Sequence, residues 1–309
     1  MSLVSVIIPT HNRAHLIERA VQSVLKQTYD NIEVIVVDDC STDNTDLIVD
    51  KLSSSDNRVK SMRHSTNFGA QVARNSGIKA AKGEFVAFLD SDNEWLSEKL
   101  QKQMTLFQES SDKVGVVYAG YFQEFNDGCP KIEHKPRHQG SIYKIALREW
   151  VADTNSLVIR KQILQEVGLF DERVRANQEW DLCIRLAKLV NFAHVSEPLS
   201  IYHMHSGPTI SKDLLLSAKG YLDVITLHND EILTQLGKKA LSNHFLIAGN
   251  LFVQALDFES AKSSFWNAIK LWPISFKAII YFVAAQLGES KYQQLILLKR
   301  QLKKLAVYR

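Results

Sequence analysis

The amino-acid sequence predicts an α/β fold, with a sheet covered by helices on both faces, followed by a smaller all-helical region. Over the first ninety residues, short runs rich in β-branched residues alternate with segments of helical periodicity, and the runs are apolar on both faces. After about Lys212 the strand-like runs stop, and apolar residues recur only at helical spacing. We therefore divide the 309 residues into 1–212, with halves 1–95 and 96–212, and a helical region 213–309.

The first ninety residues contain four strand-like runs and three helix-like segments in alternation. Along the chain the predicted elements are a strand at Val4–Ile8, a helix from Leu16, a strand at Ile32–Val37, a helix after Ser41, a strand at Val59–Arg63, a helix at Gly69–Lys82 and a strand at Phe85–Leu89. Parallel sheets of this kind bind ligands outside the carboxyl ends of their strands. That edge is where we expect the functional site.

Polar side chains follow three of these strands at the expected edge. They are Pro9, Thr10 and Asn12 after the first strand, Asp38 and Asp39 after the second, and Asp90 and Asp92 after the fourth. Each cluster alone is also typical of helix caps and turns, and an isolated D-x-D is a weak signal. Together they indicate a site, and the paired carboxylates indicate a hard divalent cation that bridges phosphates. No glycine-rich phosphate loop follows the first strand, which disfavours nucleotidyl transfer.

Composition and charge exclude several classes of protein. A net charge of +3 gives no argument for a nucleic-acid partner. The three cysteines (Cys40, Cys129 and Cys183) lie far apart, which fits a reducing compartment without a structural zinc site. The first apolar segment is too short for a signal peptide, and no uncharged run approaches the roughly 20 residues of a membrane span. We therefore expect a cytoplasmic protein.

Four segments together resemble the family 2 inverting glycosyltransferases of the GT-A fold. They are VSVIIPTHNR, VIVVDDCSTDNT, ARNSGIKAAKGEFVAFLDSDN and NQEWDLCIRLA, spread between Val4 and His205. The resemblance implies a Rossmann-like mixed sheet and transfer of a sugar from a nucleoside diphosphate sugar, expected to be a UDP-sugar, to an acceptor hydroxyl. It also implies Mg²⁺ or Mn²⁺ as cofactor and a glycan or a lipid-linked acceptor.

The resemblance assigns the first two polar clusters to the nucleotide. Pro9, Thr10 and Asn12 match the first-strand motif that lies beside the nucleotide. Asp39 matches the acidic residue that hydrogen-bonds the base, with Asp38 beside it as a support.

The next group of residues is expected around the diphosphate. Arg74 matches an arginine that donates to base or phosphate, although an exposed helix arginine is an equal alternative. Asp90 is expected near the ribose or a metal-bound water, and Asp92 matches the direct metal ligand. His205 could complete the metal or diphosphate site, with residues 206–211 as a flap over it.

The general base of the family matches Glu179 in the segment Gln178-Glu179-Trp180-Asp181. Where the family usually has Glu-Asp, this chain has Gln178-Glu179. The side chain that carries the matching carboxylate is therefore longer by one methylene group. Asp181 is the alternative base, although a carboxylate at a helix N-terminus also has a structural explanation. The residues expected around the donor sugar or the acceptor are Asp153, Asn155 and Trp180, with a place in the core as an equal alternative for Trp180.

The sequence allows more than one partner for the helical region. Small and aromatic residues fall at the spacing of one tetratricopeptide repeat, namely Gly249, Phe252, Ala261, Phe265, Ala268 and Pro273. Such a unit would pack on the first domain or form a homodimer contact. The alternative is peripheral contact with the inner face of a membrane, because Trp272–Leu287 carries one charge and six Lys/Arg without Asp/Glu follow from Lys291. A non-catalytic sugar-nucleotide binding or scaffold protein acting through this region is the alternative function.

Overall fold

The computed structural model describes residues 1–125, 129–205, 207, 212–286, 288, 290 and 292. The chain divides into two compact units, an α/β unit at Met1–Gly207 and a helical unit at 208–309. The sequence-based boundary after residue 212 lies five residues further along. Most of the expected flap and the basic tail after Lys291 lie outside the described residues.

The α/β unit is built on one sheet with helices packed on its strands. Its strands are β1 (Val4–Thr10), β2 (Ile32–Asp38), β3 (Val59–Arg63), β4 (Phe85–Phe88), β5 (Glu94–Trp95), β6 (Val114–Phe125), β7 (Ile132–His134), β8 (Val158–Arg160) and β9 (Asn191–Met204). Its helices are α1 (Ile17–Leu25), α2 (Thr45–Ser55), α3 (Ala70–Ala80), α4 (Lys99–Glu109), α5 (Tyr143–Ala146), α6 (Lys161–Val167) and α7 (Gln178–Leu189), with a 3-10 turn at Thr154–Ser156. All four strands predicted for the first ninety residues are present.

The sheet is mixed, with strand order β3-β2-β1-β4-β8-β6-β9-β5 and β7 on the edge of β6. β1 pairs in parallel with β2 and β4, and its register sets Pro9 opposite Val37 and Thr10 opposite Asp38. β8 runs antiparallel between β4 and β6. This arrangement brings the end of β4 next to the turn at Thr154–Ser156, so the D-x-D residues meet the second half of the unit.

The core explains why the central strands read as continuous apolar runs. Every residue of β1 and β2 is buried, because helices cover both faces of these strands. One cluster joins both strands to the apolar stripe of α1, formed by Ile17, Ala20, Val21 and Val24. The rigid sheet fixes the positions of the loops that leave its carboxyl edge.

The helical unit contains α8 (Leu214–Leu227), α9 (Asn229–Leu236), α10 (Lys238–Gln254), α11 (Phe258–Leu271) and α12 (Phe276–Gln286). Asp213 and Asp257 cap α8 and α11 through their side chains. Phe265 of α11 packs directly over Gly249 of α10, where a Cβ atom would come within 2.3 Å of the ring. Of the helices that the structure describes, none is long and apolar enough to cross a membrane.

Candidate active site

The loops after β1 and β2 are tied to each other by Asn12. Its backbone has a φ of 52°, a left-handed conformation that asparagine tolerates better than most residues. Its Oδ1 accepts a 2.8 Å hydrogen bond from the N–H of Thr42, and its own N–H donates to Ser41 Oγ. Asp38 accepts from the N–H of Ser41 and forms an ion pair with Arg63. These polar groups hold one another in place.

Asp39 holds the loop between β3 and α3. Its carboxylate accepts hydrogen bonds from the N–H groups of Phe68, at 3.0 Å, and Gly69, at 2.7 Å. His64 Nδ1 lies 2.8 Å from the same carboxylate, and the N–H of Asp39 donates to the carbonyl of Thr10. The acid expected at the base is therefore also the residue that orders the loop beside it.

Asp90 is held from two sides by buried polar groups. Arg74 Nη2 lies 2.6 Å from Asp90 Oδ1, and Asn155 Nδ2 donates to Asp90 Oδ2 at 3.0 Å. Arg74 also donates to Gln178 Oε1 and packs on the ring of Phe170. Burial of Arg74 argues against the alternative of an exposed helix arginine. The arginine instead joins the end of β4 to the start of α7.

Asp92 and His205 come together although 113 residues separate them, with 3.1 Å between Oδ2 and Nε2. Among the residues that the structure describes, no group of three or more His, Cys, Asp or Glu side chains is arranged to hold a metal ion. A carboxylate and an imidazole do fit a divalent cation whose other ligands are phosphate oxygens and water, since Mg²⁺ is commonly held by one or two carboxylates plus substrate. Asp90 is not part of this pair.

Three carboxylates meet where the end of β4, the turn at Thr154–Ser156 and the start of α7 converge. Asp153 caps the turn at Thr154–Ser156, and Asn155 donates to it through both its backbone N–H and its side chain. Burial, together with the negative charges of Asp90 and Glu179, raises the pKa of Asp153 to about 7. Burial also raises the pKa of Glu179, and the charge of Asp90 adds to that effect. A carboxylate in such surroundings accepts a proton more readily than one in water.

Glu179 is held by a tryptophan that sequence reasoning missed. Trp150 Nε1 donates to Glu179 Oε1 at 3.1 Å. Asn177, with a left-handed φ of 58°, turns the chain immediately before α7 and so sets the direction of Glu179. Asp181, the alternative base, is buried in a two-point ion pair with Arg185. Asp181 therefore has a structural partner within α7.

Trp180 does not reach the site. Its ring is 2% exposed, and its N–H donates to the carbonyl of Ala146 at 2.7 Å. This burial supports the core role for Trp180 over stacking on a sugar. Trp150, which is 40% exposed, is the tryptophan whose ring N–H contacts Glu179. Trp150 lies in an irregular segment, where neither periodicity nor a motif could have indicated it.

A cavity of about 510 Å³ lies beside the carboxylates. Its lining includes Trp150 and Asp153, and also Tyr121 and His134. The rings of Tyr121 and His134 stack with 4.5 Å between their centroids. Lys135 and Arg137 bring positive charge to the same lining, and Glu133 and Glu149 bring negative charge. Aromatic faces together with a few charged and polar groups are typical of a site for a polar organic ligand.

Comparison with known proteins identifies the family. Residues 5–168 match the family described as Glycosyl transferase family 2. The chain belongs to this family. Its enzymatic class is therefore glycosyltransferase, and the family predicted from the four sequence segments is confirmed.

Relatives of this glycosyltransferase support the assignment. The amylovoran biosynthesis glycosyltransferase AmsB of Erwinia amylovora is 30% identical over 244 residues, covering 72% of this chain and 78% of AmsB. The UDP-Glc:α-D-GlcNAc-diphosphoundecaprenol β-1,3-glucosyltransferase WfgD of Escherichia coli is 43% identical over 119 residues, covering 38% of this chain and 46% of WfgD. Residues 1–349 of TarS from S. aureus, solved with UDP-GlcNAc, superpose with a TM-score of 0.67 and 20% identity, over 95% of this chain and 92% of that one. With the mixed sheet, this likeness confirms the predicted GT-A fold.

Proposed function

We propose that this glycosyltransferase inverts the anomeric centre as it moves a sugar from a UDP-sugar to an acceptor hydroxyl, with Glu179 as the general base. The observation that carries the proposal is the position of Glu179. Its carboxylate accepts a hydrogen bond from Trp150, which lines the cavity, and burial raises its pKa. A base needs both a raised pKa and room for the group that it deprotonates.

The proposed reaction is a single displacement. The acceptor hydroxyl gives its proton to the carboxylate of Glu179 while its oxygen attacks the anomeric carbon. The bond between that carbon and the diphosphate oxygen breaks, and the nucleoside diphosphate leaves with the electron pair. Attack from the face opposite the leaving group inverts the configuration.

The donor would lie along the carboxyl edge of β1, β2 and β4. Pro9, Thr10, Asn12, Asp38 and Asp39 are proposed for the nucleotide, and Arg74 with Asp90 for the ribose and phosphates. Asp92 and His205 are the residues that would hold Mg²⁺ or Mn²⁺ together with the diphosphate. Such a cation stabilises the negative charge of the departing diphosphate.

The acceptor would enter the cavity beside Glu179. Stacked rings of Tyr121 and His134 and the ring of Trp150 offer flat faces for sugar rings, and Lys135 and Arg137 offer charge for a phosphate. A saccharide linked to a lipid through a diphosphate meets both requirements, and the acceptor for which WfgD is named is of this kind. We therefore propose a cytoplasmic enzyme that works at the inner face of a membrane.

The test is a UDP-release assay on the full chain with UDP-glucose, UDP-N-acetylglucosamine and UDP-galactose, each with Mn²⁺. The acceptor probe is N-acetylglucosaminyl diphosphate carrying a short alkyl chain, and water serves as the reference acceptor. Glu179→Gln should lower the rate of transfer by about 10²–10⁴-fold while UDP binding is retained, since general bases contribute about that much. Glu166→Gln, on an exposed position of α6, is the matched control and should keep the wild-type rate.

Three outcomes would count against the proposal. If Glu179→Gln transferred sugar at the wild-type rate, Glu179 would not be the general base. Retention of anomeric configuration in the product, measured by NMR, would exclude the single displacement. UDP binding without release or transfer from any donor would favour the non-catalytic binding protein instead.

A further inference from the structure

The last described helix, α12, exposes an apolar face. Phe276, Ile279, Ile280 and Val283 lie at i, i+3, i+4 and i+7, so they share one side of the helix, and all four are exposed. The opposite side packs inward through Ala278, Tyr281, Ala284 and Ala285. A surface helix normally has its charged side outward, so this helix is inverted relative to the usual pattern.

The apolar face extends beyond α12 itself. Ile274, just before the helix, is 69% exposed, and Phe276 is 79% exposed. Trp266 of α11 is also exposed and contacts Phe282 of α12, with 5.6 Å between the ring centroids. Isolated exposed apolar residues are ordinary, but a contiguous group of this size marks an interaction surface.

The last fifty residues of the sequence, which include α12, are strongly positive in charge. Residues 260–309 hold nine Lys/Arg and one Asp/Glu, whereas residues 1–259 hold 28 Lys/Arg and 33 Asp/Glu. Lys277 is exposed on α12, next to Phe276, and lies over the ring of Tyr281. The excess of positive charge in the chain is therefore confined to the segment that carries the apolar face.

We propose that the face formed by Trp266, Ile274, Phe276, Ile279, Ile280 and Val283 docks on an anionic lipid bilayer. Aromatic and aliphatic side chains enter the boundary between headgroups and acyl chains, and surrounding lysines bind acidic headgroups. A two-fold dimer through the same face would oppose two segments of like charge, which favours the bilayer over a second copy. This inference concerns a surface of the helical unit and does not depend on the proposed reaction.

The experiment is co-sedimentation of the full chain with vesicles of two compositions. One contains equal parts of phosphatidylglycerol and phosphatidylcholine, and the other contains phosphatidylcholine alone. We expect binding to the first, reduced by added sodium chloride, and at most weak binding to the second. Phe276→Ser/Ile280→Ser should lower the vesicle partition coefficient by at least about tenfold, because each side chain loses apolar burial.

The matched control is Leu47→Ser/Leu189→Ser, which removes two comparably exposed apolar side chains from the α/β unit. It should bind vesicles like the wild type, and circular dichroism should show equal helix content in all three proteins. Equal binding by Phe276→Ser/Ile280→Ser and the wild type would overturn the proposal, as would binding that ignores lipid charge. Sedimentation velocity tests the other occupant. If the wild type were a dimer that did not bind vesicles, and the double substitution made it a monomer, the face would bind a second copy of the chain.

Discussion

Two parts of the same sheet edge use acidic residues in opposite ways. After β2, Asp38 and Asp39 are surrounded by donors, namely backbone N–H groups, Arg63 and His64. At the end of β4, Asp90 is paired with Arg74, but Asp153 and Glu179 face other carboxylates, and their pKa values are raised. We call the first pair of acids compensated because cationic side chains face them, and Asp153 and Glu179 uncompensated because their donors, Asn155 and Trp150, are neutral. A carboxylate of the second kind, next to other carboxylates, accepts a proton more readily.

The two parts therefore predict different responses to the same kind of substitution. Removing a carboxylate from the compensated part leaves buried donors unpaired, so stability should fall. Removing one from the uncompensated part relieves repulsion, so stability should rise while function changes. The following substitutions test that contrast, from the largest expected effect to the smallest.

Asp39→Asn should lower the free energy of unfolding of the α/β unit by about 3 kcal/mol, because the amide brings a donor toward the N–H groups of Phe68 and Gly69. The melting temperature, measured by circular dichroism, should fall by about 6–12 °C. Asp30→Asn, at an exposed position, is the control and should change stability by less than about 0.5 kcal/mol. A wild-type melting temperature with weakened UDP binding would instead limit Asp39 to nucleotide recognition.

Asp92→Asn should abolish the dependence of UDP binding on Mn²⁺ while leaving stability nearly unchanged. Calorimetric titration with UDP should show at least about a tenfold loss of affinity in Mn²⁺ and none in EDTA. Asp112→Asn, exposed and distant in sequence, serves as the control. If the affinity of Asp92→Asn for UDP in Mn²⁺ equalled that of the wild type, Asp92 would not be a metal ligand.

Asp153→Asn should stabilise the protein at alkaline pH. The pKa of Asp153 is about 7 in the folded state and 3.8 in the reference state, so ionisation opposes folding. Its effect on stability is absent below about pH 4, grows as the pH rises and is complete above about pH 7. Allowing for solvent screening, the variant should gain about 2 kcal/mol at about pH 8 and almost nothing at about pH 4. Equal gains at both pH values would show that the charge is not the cause.

Trp150→Phe keeps an aromatic ring in the cavity but removes the N–H bonded to Glu179. That bond lowers the pKa of Glu179, so its loss should move the acidic limb of the pH–rate profile to higher pH. The rate of UDP release at acidic pH should therefore fall, whereas UDP affinity stays constant. Trp272→Phe is the control. If the acidic limb stayed at the same pH and the KM for the acceptor rose, Trp150 would contact the acceptor without affecting the pKa of Glu179.

Sequence reasoning located the strands because both faces of a buried parallel strand are apolar, a pattern that local composition preserves. It also located Asn12, Asp39, Asp90 and Asp92, because residues at the carboxyl ends of such strands must share an edge. It could not locate Trp150, and it left Trp180 open between the sugar and the core, because the burial of a side chain depends on what packs over it.

The sequence by itself determined the alternation of strands and helices, the family and the edge that carries the candidate site, since hydrophobic periodicity and motif spacing are local properties. Only the tertiary structure decided which acids are compensated. The donors around Asp39 and the acids around Asp153 come from segments far apart in the chain, so their charges meet only after folding. The same holds for α12, whose apolar face is exposed because its small residues, rather than its large ones, pack inward.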